Sequence, residues 1–158
     1  MPLVPTALAQ SLENDWLVPD GGSYPSSVSE SGQKFAAAFS SWFSGATAAG
    51  FPCSTASARQ SQLATAAAGA FSAGSAAAAG AQLAAAVAMY LVGQVFGAGV
   101  ASAPTATAAA QSTFTGVFSN LDSPNSVRAQ QLAAGLHTQV VSTLVVFPPV
   151  ISPPQPIL

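Results

Sequence analysis

The sequence predicts a mainly α-helical protein: a compact bundle of five or six helices with extended N- and C-terminal arms, and either a last helical turn or a short β-strand at 140–147. Three observations predict it. Residues Gln60–Leu121 contain no Asp, Glu, Lys or Arg, and alanine, the strongest helix former, dominates them. Larger apolar side chains recur through that background at steps of three and four residues, which gathers them on one stripe of a helix. Capping and turn signals fall between these periodic stretches. The expected division is an extended leader over 1–5, a helical domain over 6–147 and a Pro-rich arm over 148–158.

Pro2 and Pro5 stiffen the leader, and Thr6 is the expected N-cap of a first helix that uses Leu8, Leu12 and Trp16 and ends near Leu17. The dense turn signal Pro19–Pro25 stops it. Trp16 and Tyr24 flank this loop. It reads as a connector whose aromatics tuck onto the core, with ligand binding as the sharper reading. Ser27 and Glu30 have capping-box spacing. They open a second helix with Phe35, Phe39, Trp42, Phe43 and Ala46 on one face, expected to reach about Gly50, with Lys34 and Glu30 paired at i, i+4. Ser57–Gln60 offers another capping box for a third helix, whose inner face is Leu63, Ala67, Ala70 and Phe71. Gly80 is expected to kink or joint the chain into a central helix carrying Leu83, Val87, Tyr90, Leu91 and Phe96 and ending at Gly97–Gly99.

A fifth helix is expected over Thr105–Asn120, with Phe114, Val117, Phe118 and Leu121 at i, i+3, i+4, i+7. Ser123-Pro124 marks the sixth helix, a capping serine before a first-turn proline, with Val127, Leu132, Leu136 and Val140 inside. From Gln139 to Phe147 β-branched residues accumulate, so helix and strand both remain open there, the strand as one added to a neighbour's sheet. Five prolines in the last eleven residues favour polyproline II. No strict repeat is visible, and the Ala/Ser/Gly bias reads as compositional.

Composition excludes several functions. Charged residues are 5% of the chain, against about 25% for an ordinary soluble domain. Three cations (Lys34, Arg59 and Arg128) do not make a nucleic-acid footprint. The lone Cys53 allows no intrachain disulfide, leaving a free thiol or a bridge to another chain. The N-terminus lacks a basic region and meets Glu13 and Asp15 too soon for a secretory signal. His137 is the only histidine, and there is no nucleophile elbow, phosphate-cradling loop or metal-ligand spacing. No enzyme, cofactor or metal site is therefore expected.

Two readings of the charge-free stretch compete. Ala81–Ala101 has transmembrane length and holds a Gly93-x-x-x-Gly97 pattern, so a helical hairpin at about 62–101 would suit a small membrane protein. Against it, alanine adds little to insertion, Gln82 and Gln94 interrupt the span, and no basic cluster sets an orientation. The other reading is a subunit whose surface is covered by neighbours. Its expected partner interface is Leu144, Val145, Val146, Phe147, Pro148, Pro149, Val150, Ile151, Pro153, Pro154, Pro156, Ile157 and Leu158, an apolar run on a pre-stiffened stem. A Pro-rich binding module acting through the same tail is a third class, weakened by the absence of an adjacent Arg or Lys.

Met1-Pro-Leu, Ala7-Leu8-Ala9, the Ala/Ser/Gly-rich helices, Val95–Val100 and the proline-rich hydrophobic ending together resemble small alanine-rich virion proteins of tailed bacteriophages. The resemblance is one of texture across most of the chain, not of a signature motif. It implies a structural role in the tail, baseplate or neck of a virion assembled in the host cytoplasm. It further implies multiple copies set by the particle's symmetry, docking through residues 1–5 and 148–158 onto other virion proteins, with no catalysis and no cofactor.

Overall fold

The structure, a computed structural model, describes residues 3–19, 22–148 and 153–158. Over these residues the fold is mainly helical. Helix α1 (Pro5–Ser11) starts with a first-turn proline, and Val4 rather than Thr6 holds the N-cap position. It continues as a π-helical stretch, Leu12–Leu17, and stops at Val18, whose φ is 66°. Helix α2 (Val28–Phe43) opens on Ser27, whose Oγ accepts from Glu30 N at 3.1 Å. The reciprocal half of the box shifts by one residue: the Glu30 carboxylate accepts from Ser26 N at 2.7 Å and Ser26 Oγ at 2.6 Å. Lys34 pairs with Glu30 at 3.3 Å as expected.

Helix α2 ends well short of Gly50, because residues 47–52 form a hairpin, β1 (Thr47–Ala48) against β2 (Phe51–Pro52). Its two turn residues, Ala49 and Gly50, both have positive φ, which matches the twist of paired strands. A 3-10 turn, Ser57–Arg59, leads into α3 (Gln60–Phe71), and Ser57 makes no capping bond. Helix α4 (Ala76–Leu91) starts on an unforeseen cap, Ser75 Oγ accepting from Ala78 N at 3.2 Å. It also ends early. Gly93 turns left-handed at φ 79°, and the guanidinium of Arg59 donates to the last carbonyls, Tyr90 O at 3.2 Å and Val92 O. Residues 93–97 are thus turn and strand, not a GxxxG helix face: β3 (Val95–Phe96) pairs with β4 (Gly99–Ala101). No helix among the described residues is long and apolar enough to cross a membrane.

Helices α5 (Thr107–Ser119) and α6 (Asn125–Val141) follow, with Pro124 in the N-cap position that Ser123 was expected to hold. The run 139–147 resolves into both alternatives, the end of α6 and then strand β5 (Leu144–Val146). Strand β6 (Gln155–Pro156) pairs with β5, so β5 joins this chain's own sheet.

Each helix packs on its sequence neighbours, and α6 packs on α1, closing the bundle. The chain therefore rises and falls around a common axis. At one end the helices are joined by turns. At the other end every connection is a hairpin.

This arrangement exposes a repeat that the composition hides. Helices α2, α4 and α6 carry their buried residues in one register: Phe35, Leu83 and Leu132; then Ala36, Ala84 and Ala133; then Phe39, Val87 and Leu136; then Phe43, Leu91 and Val140. One turn before these, Gly32 and Gly80 take neighbouring helices at contact distance. A Cβ on Gly32 would meet Ala64 O at 2.4 Å, and one on Gly80 would meet Thr115 Oγ1 at 2.3 Å. Gly80 is a close-packing site inside α4, not the expected kink. Helices α1, α3 and α5 match likewise, as Leu8, Leu63 and Ala110; Leu12, Ala67 and Phe114; Trp16, Phe71 and Phe118. The molecule is three helix–hairpin–helix units, the third completed by the N-terminal helix.

The hairpins obey the same threefold rule. Ser54 N donates to Val95 O at 2.9 Å, Ser102 N to Leu144 O at 2.8 Å, and Leu158 N to Thr47 O at 2.9 Å. Cys53 N, Ala101 N and Ile157 N reach Ala46 O, Gln94 O and Thr143 O at 3.0, 2.9 and 3.3 Å. Strands β4 and β5 pair directly, while the two-stranded sheet β1-β2 is joined to the four-stranded sheet β3-β4-β5-β6 by the Cys53–Phe96 bridge and by the Thr47–Leu158 backbone bonds, so the six short strands form a ring among the described residues. Ala48, Phe96 and Val145 point inward at equivalent positions and are fully buried. Phe43 packs edge-on against Phe96 (6.3 Å), joining the ring to the Phe35–Phe39–Phe43 stack of the bundle.

Candidate functional site

Strand alternation sorts the ring's side chains into an inner and an outer row. The outer row is Thr47, Pro52, Val95, Val100, Leu144, Val146 and Pro156, with Leu158 continuing it. None is charged. Val100 (48% exposed) and Val146 (52%) are direct cross-strand partners, and Leu144 (40%) faces Pro156.

The residues expected to form a partner interface divide along these rows. Val145 and Ile157 are fully buried within the chain, and Phe147 is nearly so, its ring 5.7 Å from that of Phe51. Leu144, Val146, Pro148, Pro153, Pro154, Pro156 and Leu158 are exposed; Pro149, Val150 and Ile151 lie outside the described residues. The C-terminal strand is a member of the ring, and only its outward side chains face solvent. Val95, expected inside the central helix, and Val100, just beyond its expected end, join the same surface. Their signal was two apolar runs flanking Gly97-Ala98-Gly99 at hairpin spacing.

Beneath the ring a polar knot fixes the exit of α4. Gln94, fully buried, donates from Nε2 to Tyr90 O at 3.0 Å and accepts at Oε1 from Thr55 Oγ1 at 2.5 Å, while Tyr90 Oη donates to Ala56 O at 2.8 Å. Burial raises the Tyr90 phenol well above its ordinary range, reinforced by nearby Cys53 and opposed by Gln94 and Arg59. Burial likewise pushes the Cys53 thiol up; its Sγ lies 3.5 Å from Gln94 Oε1. A thiol held protonated in this way is a weak nucleophile. His137 packs on Trp42 with ring centroids 6.3 Å apart, and no hydrogen bond links it to Cys53 among the described residues.

The opposite end of the bundle holds an open cleft of about 430 Å³ on the pseudo-threefold axis. The equivalent aromatics Trp16, Phe71 and Phe118 converge there: Trp16 stacks on Phe71 at 4.8 Å, and Phe118 meets Phe71 edge-on at 6.3 Å. The equivalent α2, α4 and α6 positions Ser31, Ala79 and Arg128 also line it. Trp16 Nε1 donates to Ser31 Oγ at 2.6 Å. Tyr24 stands at the rim, 68% exposed, its hydroxyl accepting from Asn125 Nδ2 at 3.1 Å. Of the two loop aromatics, Trp16 tucks onto the core as expected and Tyr24 does not. Arg128 carried no sequence signal beyond its charge.

No family model matches the chain, and no curated protein or solved structure matches it.

Proposed function

We propose that this chain is a structural subunit of a large assembly, present in multiple copies and docking through the outer face of its strand ring. The observation that carries the reading is the uncharged belt of Val95, Val100, Leu144 and Val146 on a molecule with only 5% charged residues. Burying such a belt recovers about 25 cal/mol per Å² of apolar surface, with no charged group to desolvate. The ring satisfies its own backbone groups, so docking would proceed face to face through side chains and not by strand addition. The assembly we propose is a tailed-phage virion, in its tail, baseplate or neck. The support for that narrower statement is the resemblance in texture.

Both statements are testable. Wild-type protein should self-associate in light scattering on a sizing column. Val146→Lys should shift it to monomer while its helical circular dichroism is unchanged, because the side chain already faces solvent. A strictly monomeric wild type, or an oligomer indifferent to that substitution, refutes docking between copies. Mass spectrometry of gradient-purified phage particles should find the chain at fixed stoichiometry, and its absence from particles refutes the virion assignment.

A further inference from the structure

Charge and exposed apolar surface are distributed unequally along the bundle axis. Of the thirteen large apolar side chains exposed among the described residues, nine stand at the hairpin end, chief among them Met89, Val92, Val100, Leu144, Val146 and Leu158. Six of the seven charged residues described lie toward the turn end. Glu13 and Asp15 fall in the π-helical stretch, Glu30 and Lys34 in the first half of α2, Asp122 before α6 and Arg128 at its start. Arg59 alone is at the hairpin end, and its guanidinium is already held by Tyr90 O at 3.2 Å and by Val92 O. The exposed apolar residues of the turn end differ in kind: Val28, Leu121 and Val127 each lie within two residues of Glu30, Asp122 or Arg128, and Tyr24 is bonded to Asn125.

This polarity selects the partner of the ring face. A head-to-tail stack would press the Glu30 and Asp122 carboxylates against Val100 and Val146, where an unpaired charge loses its water. Attachment to a lipid surface draws on exposed Lys or Arg around the apolar face, and the one cation here is committed to α4. A second ring face has neither defect, being equally neutral. A standard interface takes about 800 Å² from each partner, roughly a ninth of this chain's 7338 Å², which one end of the molecule can supply. We propose that the ring face docks on the ring face of a second copy about a two-fold axis, with the charged ends at the two poles of the pair. Helix α4, of 16 residues, sets those ends about 24 Å from each ring, beyond the Debye length of about 10 Å at 0.1 M salt. The pair rests on the docking reading above and names its first partner.

The test compares two lysines of equal chemistry at opposite ends, Val146→Lys and Leu121→Lys, both at exposed positions. In sedimentation equilibrium the wild type should rise with concentration to a plateau of twice the 15.5 kDa chain. Val146→Lys brings like charges together across the two-fold and should weaken the pair by more than about a hundredfold. Leu121→Lys should leave it unchanged within about twofold. Val100→Lys, at the cross-strand partner of Val146, repeats the first arm should Val146→Lys lose its helical circular dichroism. A mass that climbs past two copies, or equal weakening by both lysines, means that ring meets turn end; the pair is then overturned while docking through the ring stands. A wild type that stays monomeric, or association that neither lysine changes, overturns the docking reading and the pair with it. A monomer that floats with phosphatidylcholine–phosphatidylglycerol vesicles gives the face to lipid instead.

Discussion

The two ends of this bundle solve the same problem differently. Both must close a ring of helices whose last turns leave unpaired backbone groups. At the hairpin end the connections are long enough to become strands, and backbone hydrogen bonds from Thr47 to Leu158 join them edge to edge. At the turn end the connection between α3 and α4 is only residues 72–75, so side chains must close the axis: Trp16, Phe71 and Phe118, incompletely, around a cleft. Closure by backbone leaves the outward side chains free to vary, and here they are uncharged and, Thr47 apart, apolar. Closure by side chains leaves space.

Substitutions at the two ends should therefore differ in cost. The largest loss is expected from Phe96→Ala, which empties the inside of the ring: about 3–5 kcal/mol by urea unfolding. Ile157→Ala, a residue outside the helices yet fully buried, should cost about 2–5 kcal/mol. A near-neutral Ile157→Ala would mean that the C-terminal strand does not belong to the ring in solution. Between the ends, Gly80→Val should cost about 1–3 kcal/mol, because its Cβ has no room beside Thr115. At the turn end, Ser31→Ala keeps the Trp16 ring and removes its hydrogen-bond partner, for about 1 kcal/mol. A loss as large as that of Phe96→Ala would erase the contrast between backbone and side-chain closure.

The smallest effect should come from Glu30, partly exposed at the start of α2. Hydrogen bonds from Ser26, side chain first and then backbone, hold its carboxyl below the ordinary value, with Lys34 adding to them. A depressed folded-state value stabilises above the unfolded one, and the contribution is lost as pH falls through the folded value. Acid titration of stability should show a slight extra decline below the ordinary carboxylate range, absent in Glu30→Gln.

Much of the helical content was legible because it rests on local chemistry: the spacing of Phe35, Phe39 and Phe43, the Ser27 cap, and alanine itself. What was not legible depends on pairing at a distance. The apolar spacing runs on through Val95 and Phe96 to Gly97, so nothing local marks Gly93 as the stop; Arg59 and the strand partner at Val146 supply that information. The repeat was hidden for two reasons. Phe35, Leu83 and Leu132 share burial but not identity, and an alanine background aligns with itself in any register. The third unit, moreover, is divided between the two ends of the chain. The candidate cleft was half visible, since Trp16 and Tyr24 stood out around their loop, but Arg128 acquires meaning only beside Ser31 and Ala79. The expected interface was found in the right segment and on only one of its faces, since a one-residue alternation cannot be read from a uniformly apolar run such as Leu144–Phe147.

The division of the third unit has a topological consequence. Trp42 Nε1 donates to Val4 O at 3.0 Å, and Leu158 exchanges two backbone bonds with Thr47, so both segments lie beside one stretch of chain. In the other two units that gap is bridged by short connections, residues 53–59 and 102–106. A linker of similar length from Leu158 to Leu3 should be accommodated, with new termini opened at Gly74 or Asp122 in the turns between units. The sequence can then be read as a circle of three modules that happens to be cut inside one of them. Permutants cut between modules would place each helix–hairpin–helix unit in one continuous stretch and turn the concealed periodicity into an ordinary tandem one.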